Sequence, residues 1–574
     1  MRTRRIALLL FTVGVLYPFG AVAQNLPPEV ISYPDIILHN GKVVSADEQF
    51  TIHEAVAIRD GKFLAVGTNQ RILAMAGPNT KKYDLQGRSA LPGFIDTHLH
   101  QAWVTDEPLP QGQRPIRPDY STVESTLADL RKIVASKKPG EFIALGAPSN
   151  KTVTVDLTMK MLDEVAPNNP LYIEATNDQV VCNSIVLKKL MEFHPNVPGV
   201  LKDAQGNPTG QLRGAASGEV VWVINAWPDV AKLIEPQKAS LARLNQMGLT
   251  TIMGRASPLS TTVLRDMLVS NQLTTRVRIY HEFLRQNSEP ERFLKRMGNL
   301  TGVGNDMYKI VGTTVQVVDG GGASSAYTAK GKMKVPEDSP YDGFGQNKWE
   351  ETGDMERSDR RNIILANRFG WTIGAMHSSG DKSNTAILEA YAEAHKERSL
   401  TGRNFGIDHG DQLTPEHYKL MKEMGVIPSV YSKAMYGNED RIEVFGKDDV
   451  YRMQPVKSMI EYGIRPAAEA DAGGAAAAPL FNMKNWITRI DENGWQLDPK
   501  EKVSRQEALW MYTLWAAGYS GEEKILGSIE PGKLGDVVVV AGDYMTFPER
   551  ELDKLRVVLT IIDGKVVFEA PGSF

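Results

Sequence analysis

Cysteine is almost missing from this 574-residue chain: Cys182 stands alone, so no intrachain disulfide can form and a cysteine-based metal site is excluded. Stability has to come from core packing. Charge of one sign is equally scarce, since 65 Lys and Arg face 69 Asp and Glu for a net charge of -4. No Lys/Arg cluster with interleaved aromatics is present, which argues against nucleic acid as a partner. Past the N-terminus no apolar run is long enough to span a bilayer, and the Gly-rich stretch "VVDGGGASSAYTA" carries no phosphate-loop signature.

The N-terminus itself reads as a secretory signal. "MRTRR" is a cationic start, "IALLLFTVGVLYPFG" an apolar stretch interrupted by Pro18, and "AVA" a small-residue cleavage site ahead of Gln24. Residues 1–23 are therefore expected to be removed, leaving a periplasmic or secreted protein with no membrane span. The remaining chain of about 550 residues suffices for one large α/β barrel and an accessory domain.

Both ends of that chain are rich in short strands and turns. "DIILHNGKVVSADEQF", "EAVAIRDGKFLAVGT" and "RVVLTIIDGKVVFEA" place Asn-Gly and Asp-Gly at hairpin positions. A β-sandwich built from residues 34–90 and 522–574 is the economical reading. Between them, helical patterns ending in Gly repeatedly feed apolar strands: "LARLNQMG" before "LTTIMG", "RRNIILANRFG" before "WTIGAMH", "PEHYKLMKEMG" before "VIPSVY", "VKSMIEYG" before "IRPAAEAD". That order predicts a parallel α/β fold, here a TIM-like (β/α)8 barrel over 91–521 with an insertion at about 108–235 after its first strand.

Metal-ligating residues fall where such a barrel carries its chemistry. In "PGFIDTHLHQAW", His98 and His100 are two apart, a spacing that puts both on one side of a strand. Taken alone, the pair is equally a metal site or two incidental strand-end histidines. "WTIGAMHSSGD" then ends a second strand at His377, "FGIDHGDQLT" a third at His409 and "RPAAEADAGG" a later one at Asp471. Imidazoles converging with a carboxylate at strand C-termini suit zinc or a similar divalent ion. Asp96 shares the face of His98 and is read as fixing the strand end. His194, His281, His395 and His417 are read as structural or solvent-facing residues of helices and turns.

The stretches "PGFIDTHLH", "GAMHSSGDKSNTAILEAYAEA", "GIDHGDQLTPEHYKLMKEMGVIPSV" and "AEADAGG", in this order, resemble the amidohydrolase superfamily, specifically amidohydrolase family 3 or its YtcJ-like group. "NSIVLKKL" and "GNPTGQLRG" in the insertion, and the tail "SRQEALWMYTLWAAGYSGEEKILGSIEPGKLGDVVVV", extend the resemblance over nearly the whole mature chain. It implies a metal-bearing barrel beside a composite sandwich, and hydrolysis of C–N bonds other than peptide bonds. It also implies that His98, His100, His377, His409 and Asp471 are the metal-site residues.

Two departures qualify that implication. Relatives often carry a lysine, carboxylated to bridge two metals, where this chain has Val315 beside Gln316; Lys309, six residues earlier, is the alternative lysine. Relatives also commonly have histidine at the position of Gln179. Without a bridging ligand two dications would repel strongly, so one ion per chain, zinc foremost, is the expectation. His98, His100, His377 and Asp471 would surround it, with Asp471 and His409 as the catalytic pair: Asp471 moving the proton of an activated water, His409 contacting water or substrate. Trp103, Gln179, Gln316, Asp319, Tyr431 and Lys433 are candidate substrate contacts, and Tyr327 a further pocket aromatic. The substrate is expected to be a small molecule carrying an amide, formamide or cyclic amide. A deaminase of amino-bearing rings and a non-catalytic periplasmic binding protein are the alternatives, and a homodimer is possible.

Overall fold

The computed structural model describes residues 32–100, 118–146, 157–176, 179–225, 229–282, 284, 289–315, 327–328, 331–332, 359–436, 441–442, 445–471 and 477–574. The signal segment expected at 1–23 lies outside them. The fold is α/β. No helix among the described residues is long and apolar enough to cross a membrane.

Two sheets are built from the chain ends. One holds Ile36–His39, Ala55–Arg59, Lys62–Gly67 and Lys81–Asp84. The other joins Lys42–Val44, Ile52–His53 and Ser89–Pro92 to the C-terminal strands Val537–Val540, Val557–Ile562 and Lys565–Glu569. Val538 pairs with Leu91 across the seam between the two ends. Leu38, Val56, Ala90, Val537 and Leu559 lie in one buried cluster fed by both sheets.

The turns separate the dipeptides that looked alike in sequence. Asp60 and Gly61 (φ 51° and 73°) and Asp563 and Gly564 (φ 54° and 69°) each close a hairpin with two left-handed residues, as a type I′ turn demands. Asn40-Gly41 does not close a hairpin. It carries the chain from the first sheet into the second, because Ile36–His39 pairs with Ala55–Arg59 while Lys42–Val44 pairs with Ser89–Pro92. Close packing explains the glycine, since a Cβ at Gly41 would stand 2.5 Å from Leu85 Cδ1 and 2.6 Å from the Arg88 carbonyl oxygen.

The central strands are β1 (Phe94–Asp96), β2 (Leu249–Ala256), β3 (Arg276–His281), β4 (Tyr308–Thr313), β5 (His377–Ser378), β6 (Gly406–His409), β7 (Ile427–Tyr431) and β8 (Ala467–Glu469). Every pairing among them is parallel: β1 to β2, β2 to β3 and β3 to β4 in one run, β5 to β6, β6 to β7 and β7 to β8 in another. The runs meet at a parallel bridge between Thr313 and Ile373. After β1, Thr97 donates from its backbone N to the carbonyl oxygen of Ala468 in β8 at 3.2 Å. The helices feeding these strands end on Gly370, Gly425 and Gly463, all left-handed, so the chain turns back at once. The expected strand through "WTIGAMH" is mostly irregular, with the regular ladder beginning at His377.

Between β1 and β2 the chain makes a separate five-stranded sheet from Ile143–Gly146, Leu171–Thr176, Gln179–Cys182, Val200–Lys202 and Pro208–Arg213. Its two apolar clusters are its own, and Cys182 is buried in one of them.

Ion pairs on two buried acids tie the central strands to the C-terminal segment. Arg276 in β3 forms a fork with Asp536, Nε to Oδ2 at 2.7 Å and Nη2 to Oδ1 at 2.9 Å. Arg278, also in β3, and Lys309 in β4 both reach Glu522 at 2.5 Å. Lys309 therefore serves structure rather than a metal, while Val315 packs in the main apolar core. Removing one partner of a buried pair costs about 3–5 kcal/mol. Asp536→Ala should accordingly lower the thermal midpoint far more than Asp553→Ala, a surface pair with Lys484. Burial raises the Glu522 carboxyl, but Arg278 and Lys309 outweigh it and hold it below its ordinary value of 4.5. Its contribution is complete above that value and is lost as pH falls through the depressed one. The stability gap between wild type and Glu522→Gln, read by thermal unfolding, should thus shrink as the buffer is taken down from about pH 5.

Candidate active site

Of the expected ligands, His98, His100 and Asp471 lie just beyond their strands, while His377 opens β5 and His409 closes β6. β1 stops at Asp96, two residues before His98, so strand alternation does not aim the histidines. Instead the backbone N of Asp471 donates to the His98 carbonyl oxygen at 3.0 Å, and the backbone N of His98 donates to Asp96 Oδ1 at 3.0 Å. Burial pushes the Asp96 carboxyl well above its ordinary range. Asp471, at φ 55°, and His409, at φ 73°, both take the left-handed conformation that side chains seldom adopt. Such strain collects where a side chain must be re-aimed.

Asp471 gathers the first two histidines. Its Oδ1 stands 3.3 Å from His98 Nε2 and 3.1 Å from His100 Nε2, and Lys433 pairs with its Oδ2. Burial would raise the Asp471 carboxyl, yet Lys433, His409 and the two imidazoles hold it well below the usual range. His98 is buried, with Asp408 Oδ2 at 2.8 Å from Nδ1 and Arg255 Nη2 at 3.1 Å from Nε2. Burial and Arg255 oppose charge on that ring, but the carboxylates outweigh them and push it up to about 10. His100 is 31% exposed and forms the open side of the cluster.

The other two histidines form an adjacent pair. His377 Nδ1 and His409 Nε2 are 2.6 Å apart, while His409 Nδ1 pairs with Glu469. The rings of His98 and His409 lie 5.4 Å apart, edge to face. Burial, with His409 beside it, pushes His377 well below its ordinary value. His98, His100 and Asp471 present ligand atoms within 4.8 Å of one another, as do His98, Asp408 and Glu469. The first set, two imidazoles and a carboxylate with one exposed side, fits a divalent ion that keeps a position for water.

Tyr431 lies against His409, ring centroids 4.6 Å apart. Its hydroxyl donates to Asp411 Oδ2 at 2.7 Å and accepts from Arg441 Nη2 at 2.8 Å. Lys433 Nζ sits 5.1 Å from the same ring. Two expected substrate contacts thus have partners inside the protein. Gln179 belongs to the five-stranded sheet, with its side chain outside the described residues, as is that of Tyr327. Trp103, Gln316 and Asp319 also lie outside them. A cavity of about 420 Å³ beyond Asp411 is lined by Tyr418, Arg452 and Glu501 and by none of the expected ligand histidines.

Sequence reasoning missed Arg255, Asp408, Asp411, Arg441 and Glu469. Some signals were available: Arg255 is a lone cation in an otherwise uncharged strand, and Glu469 precedes Asp471 by two. His281 needs correcting. It ends β3 rather than lying in a helix or turn, and burial pushes it down to about 4. His417 is a structural capping residue, and His395 accepts from the backbone N of Leu400.

An α/β fold that gathers histidines and an aspartate at or just past its parallel strands has the arrangement of a metal-dependent hydrolase. The chain belongs to the amidohydrolase family, whose profile matches residues 81–568. It is thus a metal-dependent amidohydrolase, acting on carbon–nitrogen bonds. It is 24% identical over 572 residues to the N-substituted formamide deformylase of Arthrobacter pascens, covering 94% of this chain and 99% of that protein. It is 25% identical over 555 residues to the putative amidohydrolase YtcJ of Bacillus subtilis (strain 168), covering 93% and 99%. Its fold is similar to an uncharacterized metal-dependent hydrolase of Pyrococcus horikoshii OT3 (TM-score 0.61, 18% identity, 90% and 99% covered). It is also similar to the zinc-complexed atrazine chlorohydrolase of Arthrobacter aurescens TC1 (TM-score 0.50, 13% identity, 93% and 95% covered).

Phenylalanine at position 431 would keep the ring against His409 and leave Asp411 and Arg441 without their shared hydroxyl. Tyr431→Phe should cost about 1–3 kcal/mol, read as a lowered thermal midpoint.

Proposed function

We propose that this protein hydrolyses the amide, formamide or cyclic amide of a small molecule with a water activated by one divalent ion, zinc foremost. The observation that carries the reading is the meeting of His98 and His100 on one oxygen of Asp471, beside His377 and His409. The eight parallel strands are read as a closed (β/α)8 barrel with this cluster at its C-terminal mouth, the two end-built sheets as a sandwich at 34–90 and 522–574, and the 108–235 segment as an insertion. The formamide option draws on the relative in Arthrobacter pascens. A periplasmic or secreted location rests on the N-terminal sequence alone.

His98, His100 and Asp471 would hold the ion, with His377 and His409 alongside. When bound, such an ion supplies Lewis acidity and brings the pKa of a coordinated water to about 7. The side chains do the rest. Asp471, low in pKa and central, takes the proton of the attacking water on a carboxylate oxygen and delivers it to the leaving nitrogen. His409, fixed from behind by Glu469, turns its Nε2 toward His377 and joins the residues that would hold the ion. Charge supports a single ion: Asp408, Glu469 and Asp471 face two fixed cations, Arg255 and Lys433, while burial pushes Asp96 toward its neutral form. Two dications against three carboxylates already offset by two fixed cations would leave a large uncompensated positive charge.

Elemental mass spectrometry on protein purified without added metal or chelator should find about one ion per chain. With that ion, a panel of formamides, amides and cyclic amides should contain a substrate whose turnover falls at least about a thousandfold in His100→Asn and Asp471→Asn, an effect of the size that loss of a catalytic group brings. Ammonia release with the ring retained would turn the assignment to a deaminase. No ion after zinc, manganese or iron supply would sink it in favour of a binding protein.

A further inference from the structure

Behind the expected ligands lies a second tier of buried acids. Glu469, the last residue of β8, is fully buried. Its Oε2 accepts from the Ser429 hydroxyl at 2.6 Å, and Ser429 is in turn 2.5 Å from the Thr97 hydroxyl. Its Oε1 pairs with His409 Nδ1. As a carboxylate Glu469 can only accept, so His409 carries its proton on Nδ1 and keeps the lone pair on Nε2. That nitrogen stands 2.6 Å from Nδ1 of His377. Asp408 repeats the arrangement under His98: the Tyr519 hydroxyl donates to Oδ1 at 2.7 Å, and Oδ2 stands 2.8 Å from His98 Nδ1, leaving Nε2 to face Asp471. Two imidazoles, one just past β1 and one ending β6, are thus held at Nδ1 by buried acids, and each acid is anchored by a hydroxyl.

We propose that Glu469 is a positioning residue of the metal site, fixing the tautomer of His409 so that Nε2 is presented as a ligand. The inference rests on the metal-dependent reading above and adds to it a residue that readies the site before an ion arrives. Carboxylates behind metal-ligating imidazoles fix ring orientation and raise ligand basicity, and their loss costs about 10–100-fold in metal affinity. Glu469 is also the residue that links the histidine of β6 to strands β7 and β8, through Ser429.

Zinc affinity of the full chain, measured by competition with a chromophoric chelator, tests this. Glu469→Gln keeps the shape and removes the charge; it should bind zinc about 10–100-fold more weakly at unchanged stoichiometry. Histidine-selective ¹⁵N NMR of the metal-free protein should find His409 protonated at Nδ1 in the wild type, with the Nε2-protonated form gaining population in the variant. Should Glu469→Gln fail to fold, Ser429→Ala, which releases Oε2 alone, should weaken zinc in the same direction by a smaller factor. Unchanged zinc affinity in a folded Glu469→Gln protein overturns the inference while leaving the metal site standing. Loss of an oxygen neighbour of zinc in the variant's X-ray absorption spectrum overturns it too, by making Glu469 a ligand. A wild-type protein that takes up no zinc removes the metal reading itself, and the inference with it.

Discussion

Two backbone hydrogen bonds join residues more than 370 positions apart and set the geometry of the site. Thr97 N reaches the Ala468 carbonyl, and Asp471 N reaches the His98 carbonyl, so the exits of β1 and β8 run side by side. Because His98, His100 and Asp471 all lie past their strands, no strand ladder aims them. The reciprocal bonding of the two exits does so, with left-handed backbone at Asp471 turning its carboxylate toward both imidazoles. The same pairing brings Thr97 to Ser429 and thereby to Glu469.

The site is also an exercise in charge neutralisation. Burying Asp408, Glu469 and Asp471 within a few ångströms is prohibitive unless each finds a partner. Imidazoles, Arg255, Lys433 and hydroxyls supply those partners, and the result is a set of side chains whose directions are fixed from two sides. Pre-orientation of this kind is what a metal-dependent hydrolase requires, since ligands and proton carrier must be within a fraction of an ångström of their working places.

Much of this was legible in the chain, for identifiable reasons. Helices ending on Gly425 and Gly463 announce themselves because only glycine turns back so cheaply, and the candidate ligand histidines stand out because they end apolar runs. What was hidden was tertiary. Asn40-Gly41 has the same local chemistry as Asp60-Gly61, and only the pairing of the flanking strands shows that it crosses between sheets. Lys433 looked like a solvated or substrate-binding cation because nothing in "VYSKAMYG" reveals that it will meet Asp471, 38 residues on. Arg255 and Glu469 sit in strands whose inward faces are knowable only once the parallel neighbours are in place.

The seam between Leu91 and Val538 has a consequence for how the protein is made. The strand Ser89–Pro92 leaves the ribosome some 445 residues before the strand that completes its sheet. At about 5–20 residues per second, translation leaves that edge waiting roughly 20–90 seconds. A nascent chain therefore carries an open apolar edge through about three-quarters of its synthesis, and the sheet that joins the two chain ends is completed only as synthesis closes.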